Sequence, residues 1–368
     1  MHGFDSFKAY GRFVNSAMNA IILVKDLQTM PQKIIRSICY FIDKPSRDLV
    51  EKLDTTAKLL ENSGYLIQTK RICSSVKDPD VLTQTYGNDV DYLSLGTLTY
   101  DEAIESLSKF YDHDSLNFNV DLTNEDINRQ HAKLLLDIIQ NKPSKTFNFT
   151  FVFNNAPSSP YFPSAAYEKN GFAIGLQPTD LSEGCSSLEQ WFEAMKNCWN
   201  EIVELFQDNP EFLGLDSSIA PLSGSVAGSF VGFVKRLGYT FDRSVTTDMY
   251  VSITKFIKEQ NPKLVGLSGI MLPCCEDDEL AAEYEQGNFS IERNVYLSLH
   301  SGLGIDTYPI GVDESPDRVV EILKLIQALS NKYQKPLSAR FVSDGKSKIG
   351  EMTDFQNQYL TDCTLRAL

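Results

Sequence analysis

The run IIRSICYFI over residues 34–42 is built almost entirely from β-branched, aromatic and other apolar residues, which is typical of a buried strand. Pro45 and Ser46 follow it and predict the start of a helix. Apolar side chains then recur at helical spacing, at Leu49, Val50, Leu53, Ala57 and Leu60. Gly64 predicts the end of this helix, and residues 66–72 predict a second strand. Strand, helix and strand in this order form a βαβ unit and indicate an α/β fold.

The same alternation continues outward to the end of the chain. Further strands are predicted near residues 92–98, 116–120, 146–153, 172–176, 212–215, 305–308 and 337–342. Helices are predicted near 124–140, 187–207, 225–237, 248–259, 290–300 and 316–332, and another begins near 101. Nine or ten strands separated by helices predict one large α/β domain over residues 31–368, built as a barrel or as a wide sheet. Residues 1–30 are predicted to form a helical extension.

Composition excludes several classes of protein. The chain has 368 residues, of which 42% are hydrophobic and 23% charged, as in ordinary globular proteins. Lys and Arg number 34 and Asp and Glu number 49, so the net charge is −15, and no basic stripe offers a surface to nucleic acid. The apolar stretch at 17–24 is too short to cross a bilayer. We therefore expect neither a nucleic-acid partner nor a membrane partner.

The seven cysteines indicate the compartment. Their number is odd, and no two of them form a C-x-x-C pair. This pattern is typical of a reduced, intracellular protein, so we expect a cytoplasmic location. A small-molecule ligand is then the expected partner, and the sequence leaves assembly into a homo-oligomer open.

Acidic, hydroxyl and thiol side chains accompany three of the apolar segments. They are Asp216, Ser217, Cys274, Cys275, Glu276, Asp277 and Asp306. Because the carboxyl ends of strands in α/β folds face the ligand crevice, we expect these residues to converge on one pocket. Two carboxylates beside thiols can bind a divalent metal or divide the roles of general acid and base. The alternative for the acidic run 276–279 is structural, because acidic residues in a first turn stabilise the helix that follows.

Three other residues are candidates for substrate binding. Asn155 lies in a Pro- and Ser-rich loop, Ser225 lies near a helix start that can bind an anion, and Arg340 can pair with a carboxylate or phosphate. Complete catalytic motifs are missing. The sequence has no G-x-S-x-G elbow, and the Gly-Lys-Ser run at 345–347 lacks the upstream glycine of a P-loop.

Five runs of sequence carry a resemblance to a known family. They are FNNAPSSPYFPSAAY (153–167), LGLDSSIAP (213–221) continued by SGSVAGSF (223–230), GLSGIMLPCCEDD (266–278), GLGIDTYPIGVD (302–313) and ARFVSDGKSKIGE (339–351). Their order and spacing resemble the domain of unknown function 711 family, also named uncharacterised protein family 0210, from the first predicted strand to the end of the chain. The resemblance implies a ten-stranded α/β barrel similar to that of pyruvate formate-lyase-like glycyl radical enzymes.

The resemblance also implies which residues form the site. It carries over to Asp216, to the acidic pair Glu276 and Asp277, and to Asp306. The family usually lacks the vicinal cysteines found here. The arginine-valine-x-glycine-aromatic signature of a radical glycine is absent near the C-terminus, so no glycyl radical is expected and the shared fold does not carry shared chemistry.

The residues and the resemblance together predict an enzyme-like barrel that binds a small polar or anionic metabolite. In this hypothesis Glu276 or Asp277 is the general base or a ligand to a divalent metal. The alternative is a non-catalytic protein that binds a metabolite or acts as a scaffold. The substrate and the identity of any metal stay open.

Overall fold

A computed structural model describes residues 32–222 and 228–368 of the chain. The helical extension predicted over 1–30 lies outside these ranges. Ten strands of the described part form one mixed sheet. They are β1 (Ile34–Ile42), β2 (Leu66–Ile67), β3 (Lys70–Ser74), β4 (Tyr92–Leu98), β5 (Leu116–Asp121), β6 (Phe149–Phe153), β7 (Gly171–Leu176), β8 (Phe212–Asp216), β9 (Gly304–Pro309) and β10 (Leu337–Val342). The predicted α/β architecture with about ten strands is confirmed.

Eleven α-helices connect these strands within the described ranges. They are α1 (Asp48–Asn62), α2 (Pro79–Tyr86), α3 (Tyr100–Asp112), α4 (Arg129–Asn141), α5 (Leu188–Leu205), α6 (Phe230–Arg236), α7 (Phe241–Ser244), α8 (Met249–Gln260), α9 (Asp278–Glu285), α10 (Ile291–Ser298) and α11 (Pro316–Tyr333). None of them combines the length and the apolar character that crossing a bilayer requires.

Local chemistry explains where two predicted strands differ from the structure. The strand predicted over 146–153 begins only at Phe149, because Pro143 starts a 3-10 helix that continues to Asn148. The strand predicted over 66–72 is divided into β2 and β3. The boundaries of α3 follow from a capping box, in which the side chains of Thr99 and Glu102 each accept a hydrogen bond from the other residue's backbone N–H.

The sheet consists of three blocks of parallel strands, and the two outer blocks, β7 with β8 and β9 with β10, run opposite to the central one. Its order is β8-β7-β1-β3-β4-β5-β6-β10-β9, and β2 pairs with β1. Strands β1, β3, β4, β5 and β6 are parallel to one another. The strand direction reverses at the β1–β7 and β6–β10 pairs, which are antiparallel. The carboxyl ends of β7 to β10 therefore lie at the same edge as the amino ends of β1 and β3 to β6.

The continuous ladder of strands does not close into the expected barrel. Its edge strands are β8 and β9. The segment 264–273 lies between them, and its backbone forms isolated bridges with each and no continuous ladder, with Leu215 to Leu264 on one side and Pro273 to Asp306 on the other. Ile270 pairs with both sides, through Ile219 and Gly302. The described architecture is thus an open sheet with a bridging segment between its edges.

The two faces of the sheet are covered differently. Side chains alternate along each strand, and one set packs with the helices in the main apolar core. The opposite set faces the loop over 154–170. Ser37 donates a hydrogen bond to the carbonyl of Pro160, and the Asn119 amide donates to the carbonyls of Pro163 and Ala165. Polar residues within buried strands consequently gather on the loop-covered face, where the candidate site lies.

Candidate functional site

A cavity of about 220 Å³ lies on the loop-covered face of the sheet. Its strand residues come from the first halves of five parallel strands, at Arg36, Arg71, Tyr92, Asn117 and Thr150. Strands β9 and β10 run the other way and supply Asp306 and Arg340. The prediction that carboxyl strand ends face the ligand is therefore wrong for the parallel block from β1 to β6. That block turns its amino ends to the cavity because the sheet is mixed.

Strand irregularities direct two of these side chains. The β1–β7 register shifts between Ile35 and Ser37, so that Arg36 and Ser37 both lie on the loop-covered face. The β9–β10 register also shifts, and the extra residue of β9 lies between Ile305 and Tyr308, next to Asp306. Bulges of this kind re-aim side chains and are common beside functional sites.

Arg340 is the centre of a buried ion-pair network. Its Nε donates to Asp306 Oδ1 at 2.6 Å, and its Nη2 donates to Glu276 Oε1. The guanidinium lies 5.2 Å from the centre of the Phe147 ring. Burial opposes the charge of Arg340, but the neighbouring carboxylates outweigh it and raise the pKa of this residue. Of the acidic groups predicted to converge, Glu276 and Asp306 both contact Arg340, which joins them.

Glu276 also faces a second arginine. Its Oε2 lies 3.5 Å from Arg36 Nη2, and the Glu276 side chain is only 4% exposed. Burial raises the pKa of Glu276, while Arg340 and Arg36 oppose that rise. The carboxylate of Glu276 thus bridges two guanidinium groups at the wall of the cavity.

Arg71, on β3, has surroundings of another kind. The residue is 5% exposed, its Nε donates to Thr69 Oγ1 at 2.8 Å, and its Nη1 donates to the carbonyl of Pro160 at 3.3 Å. The rings of Tyr92 and Phe162 lie 5.4 and 5.1 Å from the guanidinium carbon. No Asp or Glu of residues 32–222 and 228–368 forms an ion pair with it. Burial and the charge of Arg36 lower the pKa of Arg71 to about 10, so it stays charged at neutral pH.

The lining combines charge with aromatic walls. Three guanidinium groups and two carboxylates face the cavity, so one positive charge remains among the described lining residues. The aromatic lining residues are Tyr92, Phe147, Tyr161, Phe162 and Tyr359. Such a site can hold an anion by charge-assisted hydrogen bonds and contact its carbon skeleton through the rings.

Asp216 and Ser217 do not line this cavity, contrary to the prediction. The Asp216 carboxylate is fully buried and accepts hydrogen bonds from the backbone N–H groups of Leu267 and Ser268 at 2.8 and 3.2 Å. It also accepts from the Ser218 and Ser159 hydroxyls. Ser217 Oγ accepts a hydrogen bond from Trp199 at 2.6 Å. These contacts fix the end of β8 to the bridging segment 264–273.

Asp277 caps two helices and does not line the cavity. Its Oδ1 accepts from Glu279 N and Leu280 N in the first turn of α9, and its Oδ2 accepts from Phe230 N at the start of α6. Burial raises the pKa of Asp277 to about 6, and the hydrogen bonds to its carboxylate limit the rise. The structural alternative proposed for the acidic run thus describes the position of Asp277.

The vicinal thiols are enclosed in the core. Cys274 and Cys275 are both fully buried, and neither lines the cavity. Cys275 Sγ lies 3.8 Å from Cys363 Sγ in the C-terminal segment. Burial raises the pKa of both residues. Their surroundings favour the neutral thiol, which is the less reactive form.

Two candidates for substrate binding remain, Asn155 and Ser225, and Asn155 does not line the cavity. Asn155 donates a hydrogen bond to the carbonyl of Ser164 at 2.7 Å and so stabilises its own loop. Ser225 lies outside the described residues.

The cavity does not fit the divalent metal that the sequence left open. Across residues 32–222 and 228–368, no three His, Cys, Asp or Glu side chains are placed to share an ion. The two carboxylates of the lining are each paired with Arg340, and a cation there would meet the charge of that arginine.

Sequence reasoning missed Arg36, Arg71, Asn117 and Thr150. Three of them carried a signal within the strands, because Arg36, Asn117 and Thr150 are polar residues among apolar ones, as in LNFNVD of β5 and FTFVF of β6. Arg71 follows Lys70 and has no such pattern. A buried strand with a polar residue at period two places that residue on one face. The sequence prediction selected residues near strand ends and therefore did not include these positions inside the strands.

Comparison with known proteins now adds the family. The model of the family described as Uncharacterised ACR (DUF711) matches residues 101–357, well over half of the chain. A UPF0210 protein of Syntrophotalea carbinolica is 23% identical over 150 residues, which cover 39% of this chain and 33% of that protein. A UPF0210 protein of Pyrobaculum arsenaticum is 28% identical over 94 residues, which cover 26% and 21%. The match thus spans about a third or less of these curated relatives. The chain belongs to the Uncharacterised ACR (DUF711) family.

Proposed function

We propose that this chain binds a small organic acid in the cavity and that Arg71 receives the carboxylate of the acid. The observation that carries the proposal is the buried guanidinium of Arg71, which has no acidic partner within the described ranges. A buried charge without a counter-charge is costly, and an anionic ligand supplies one. Arg36 lines the same cavity and adds a second donor group.

The balance of charge favours a carboxylate over a phosphate. One positive charge remains in the lining, which matches a singly charged anion, whereas the carboxylates of Glu276 and Asp306 repel a doubly charged one. The volume of about 220 Å³ lies below the roughly 300 to 1,000 Å³ of pockets for drug-sized ligands. The ligand portion in this cavity is therefore small, and its carbon skeleton contacts the aromatic walls.

In the enzyme form of this proposal, Glu276 exchanges a proton with the bound acid. Glu276 lines the cavity, and burial raises its pKa, which makes its carboxylate a stronger base. The protein is then an enzyme-like barrel, with the bridging segment 264–273 completing a ring similar to the pyruvate formate-lyase-like fold. In the non-catalytic form, the same cavity binds the acid without turnover.

Binding is tested by titrating the purified protein with a panel of acids at pH 7 in a calorimeter. The panel contains acetate, pyruvate, butyrate, succinate and inorganic phosphate. We expect saturable binding of at least one monocarboxylate. We expect Arg71→Met to weaken it by roughly 10- to 100-fold, the value of a charge-assisted hydrogen bond. The matched control is Arg47→Met, because Arg47 is exposed and remote from the cavity lining.

Two results would contradict the proposal: no saturable binding of any monocarboxylate, or equal affinity in the wild type and Arg71→Met. The enzyme form is examined separately by NMR in D₂O, where Glu276 would exchange the α-hydrogen of the bound acid for deuterium. Exchange that Glu276→Gln abolishes supports general-base catalysis. Binding without exchange supports the non-catalytic form.

A further inference from the structure

A second, larger depression adjoins the cavity. It has a volume of about 1140 Å³, and we call it the outer groove. The residues that line both spaces form a neck between them, and they are Gln68, Thr69, Tyr92, Phe147 and Tyr359. Phe147 and Tyr359 stack with ring centres 6.3 Å apart and planes inclined by 11°. A ligand whose carboxylate lies at Arg71 can extend past these rings into the outer groove.

The outer groove is rich in primary amides. Seven Asn and Gln side chains line it: Gln68, Gln84, Asn88, Asn148, Gln356, Asn357 and Gln358. An amide has N–H donors and an acceptor oxygen, as successive peptide units of a ligand require. Four of the seven use part of this capacity within the protein, namely Gln68, Asn148, Gln356 and Asn357. Asn88, Gln84 and Gln358 are exposed and face the groove from different parts of the chain. A purely apolar tail would displace water from these amides and would not replace the hydrogen bonds that they lose.

The charge of the outer groove is opposite to that of the cavity. Three aspartates line it, namely Asp91, Asp112 and Asp114, against Lys142 and Lys145. Lys142 lies 3.5 Å from Asp114, and Lys145 is buried and donates to three backbone carbonyls. The remaining negative charge favours a ligand whose far end is positive.

We infer that the acid bound at Arg71 is the C-terminal carboxylate of a short peptide and that the preceding residues lie in the outer groove. The inference rests on the proposed function and names its substrate class. A peptide carries a singly charged carboxylate at one end, amide units along its length and an ammonium group at the other. The cavity can receive the carboxylate, the amides of the outer groove can bond the peptide units, and its aspartates can attract the ammonium group.

Calorimetry with a length series tests this inference. The ligands are acetyl-alanine, dialanine, trialanine and trialanine amide. From dialanine to trialanine we expect the affinity to rise about fivefold, the value of one net hydrogen bond. Trialanine amide should lose binding, because it lacks the carboxylate. Lys-Ala-Ala should bind more tightly than Glu-Ala-Ala, and Asp112→Asn should reduce that preference.

Variants of the outer groove separate it from the cavity. The double variant Asn88→Ala with Gln358→Ala should remove the gain with length and leave the affinity for acetyl-alanine unchanged. Gln207→Ala, an exposed amide outside both spaces, is the matched control. Equal affinity of the wild type for acetyl-alanine and trialanine would overturn the inference while the proposed function stands. Failure of every acid to bind would overturn both.

Discussion

Two buried arginines face the same cavity and are stabilised in opposite ways. Arg340 on β10 lies between the carboxylates of Glu276 and Asp306, whereas Arg71 on β3 contacts a hydroxyl, a carbonyl and two aromatic rings and no carboxylate among the described residues. The first arrangement compensates its charges within the protein. The second leaves a charge that a ligand can compensate. In the proposed function, the side with Arg340 maintains the shape of the cavity and the side with Arg71 receives the anion.

The largest expected effect comes from removing the compensated arginine. Arg340→Met leaves two carboxylates without their central partner, and we expect the free energy of unfolding to fall by about 3–5 kcal/mol in urea titrations. The control Arg47→Met removes an exposed pair with Asp89 and should cost about 0–1 kcal/mol.

A compensated variant keeps this comparison informative even if Arg340→Met does not fold. Arg340→Met combined with Glu276→Gln and Asp306→Asn removes all three charges and should recover most of the lost stability. Equal stability of Arg340→Met and Arg47→Met would show that the network contributes no more than a surface pair.

A smaller loss is expected at Asp216, which lies outside the cavity. Asp216→Asn replaces one accepting oxygen by an amide that faces donors from Ser218, Ser159 and the bridging segment 264–273. We expect a loss of about 1–3 kcal/mol, as for an unsatisfied buried group. The affinity of the folded variant for the organic acid should stay the same in calorimetry. A selective loss of affinity would instead assign Asp216 to the binding site.

For Arg71, whose charge has no carboxylate beside it among the described residues, we expect the opposite effect on stability. Arg71→Met removes a buried charge that has no acidic partner in residues 32–222 and 228–368, so we expect the ligand-free protein to gain about 1 kcal/mol while acid binding weakens roughly 10- to 100-fold. Urea titrations without ligand measure the gain. A loss as large as that expected for Arg340→Met would mean that the two arginines are equivalent and would remove the basis of the comparison.

The smallest effect is a dependence on pH. The folded-state pKa of Arg71 is about 10, below its ordinary value of 12.5, so its charge costs stability at every pH below 10. This cost declines as the pH rises through 10, because the folded protein releases the proton first. The stability difference between Arg71→Met and the wild type should therefore be smaller at pH 10.5 than at pH 7. A difference that grows with pH would contradict this assignment of charge.

The sequence predicted the strands well and the site only in part. Apolar runs and helix caps are local signals, so β10 and α11 lie close to where their patterns placed them. Glu276 and Asp306 were predicted to meet at one pocket from their positions after or within apolar segments, and both line the cavity. The strand direction did not follow, because an antiparallel pair such as β6 and β10 depends on contacts between distant residues. For the same reason the contact of Asp277 with the start of α6 was visible only in three dimensions, whereas its role at the start of α9 was an alternative that the sequence offered.

The bridging segment 264–273 also affects how copies of this protein meet one another. Exposed edges of β-sheets recruit strands from other molecules and promote aggregation. Here Val265 and Met271 donate backbone hydrogen bonds to Leu215 and Ile219 on one side, and Ile270 pairs with the backbone next to β9 on the other. A single stretch of chain thus shields both open borders. Local unfolding of this segment would expose β8 and β9 as unpaired edge strands at the same time. We expect aggregation of the protein on storage as the result.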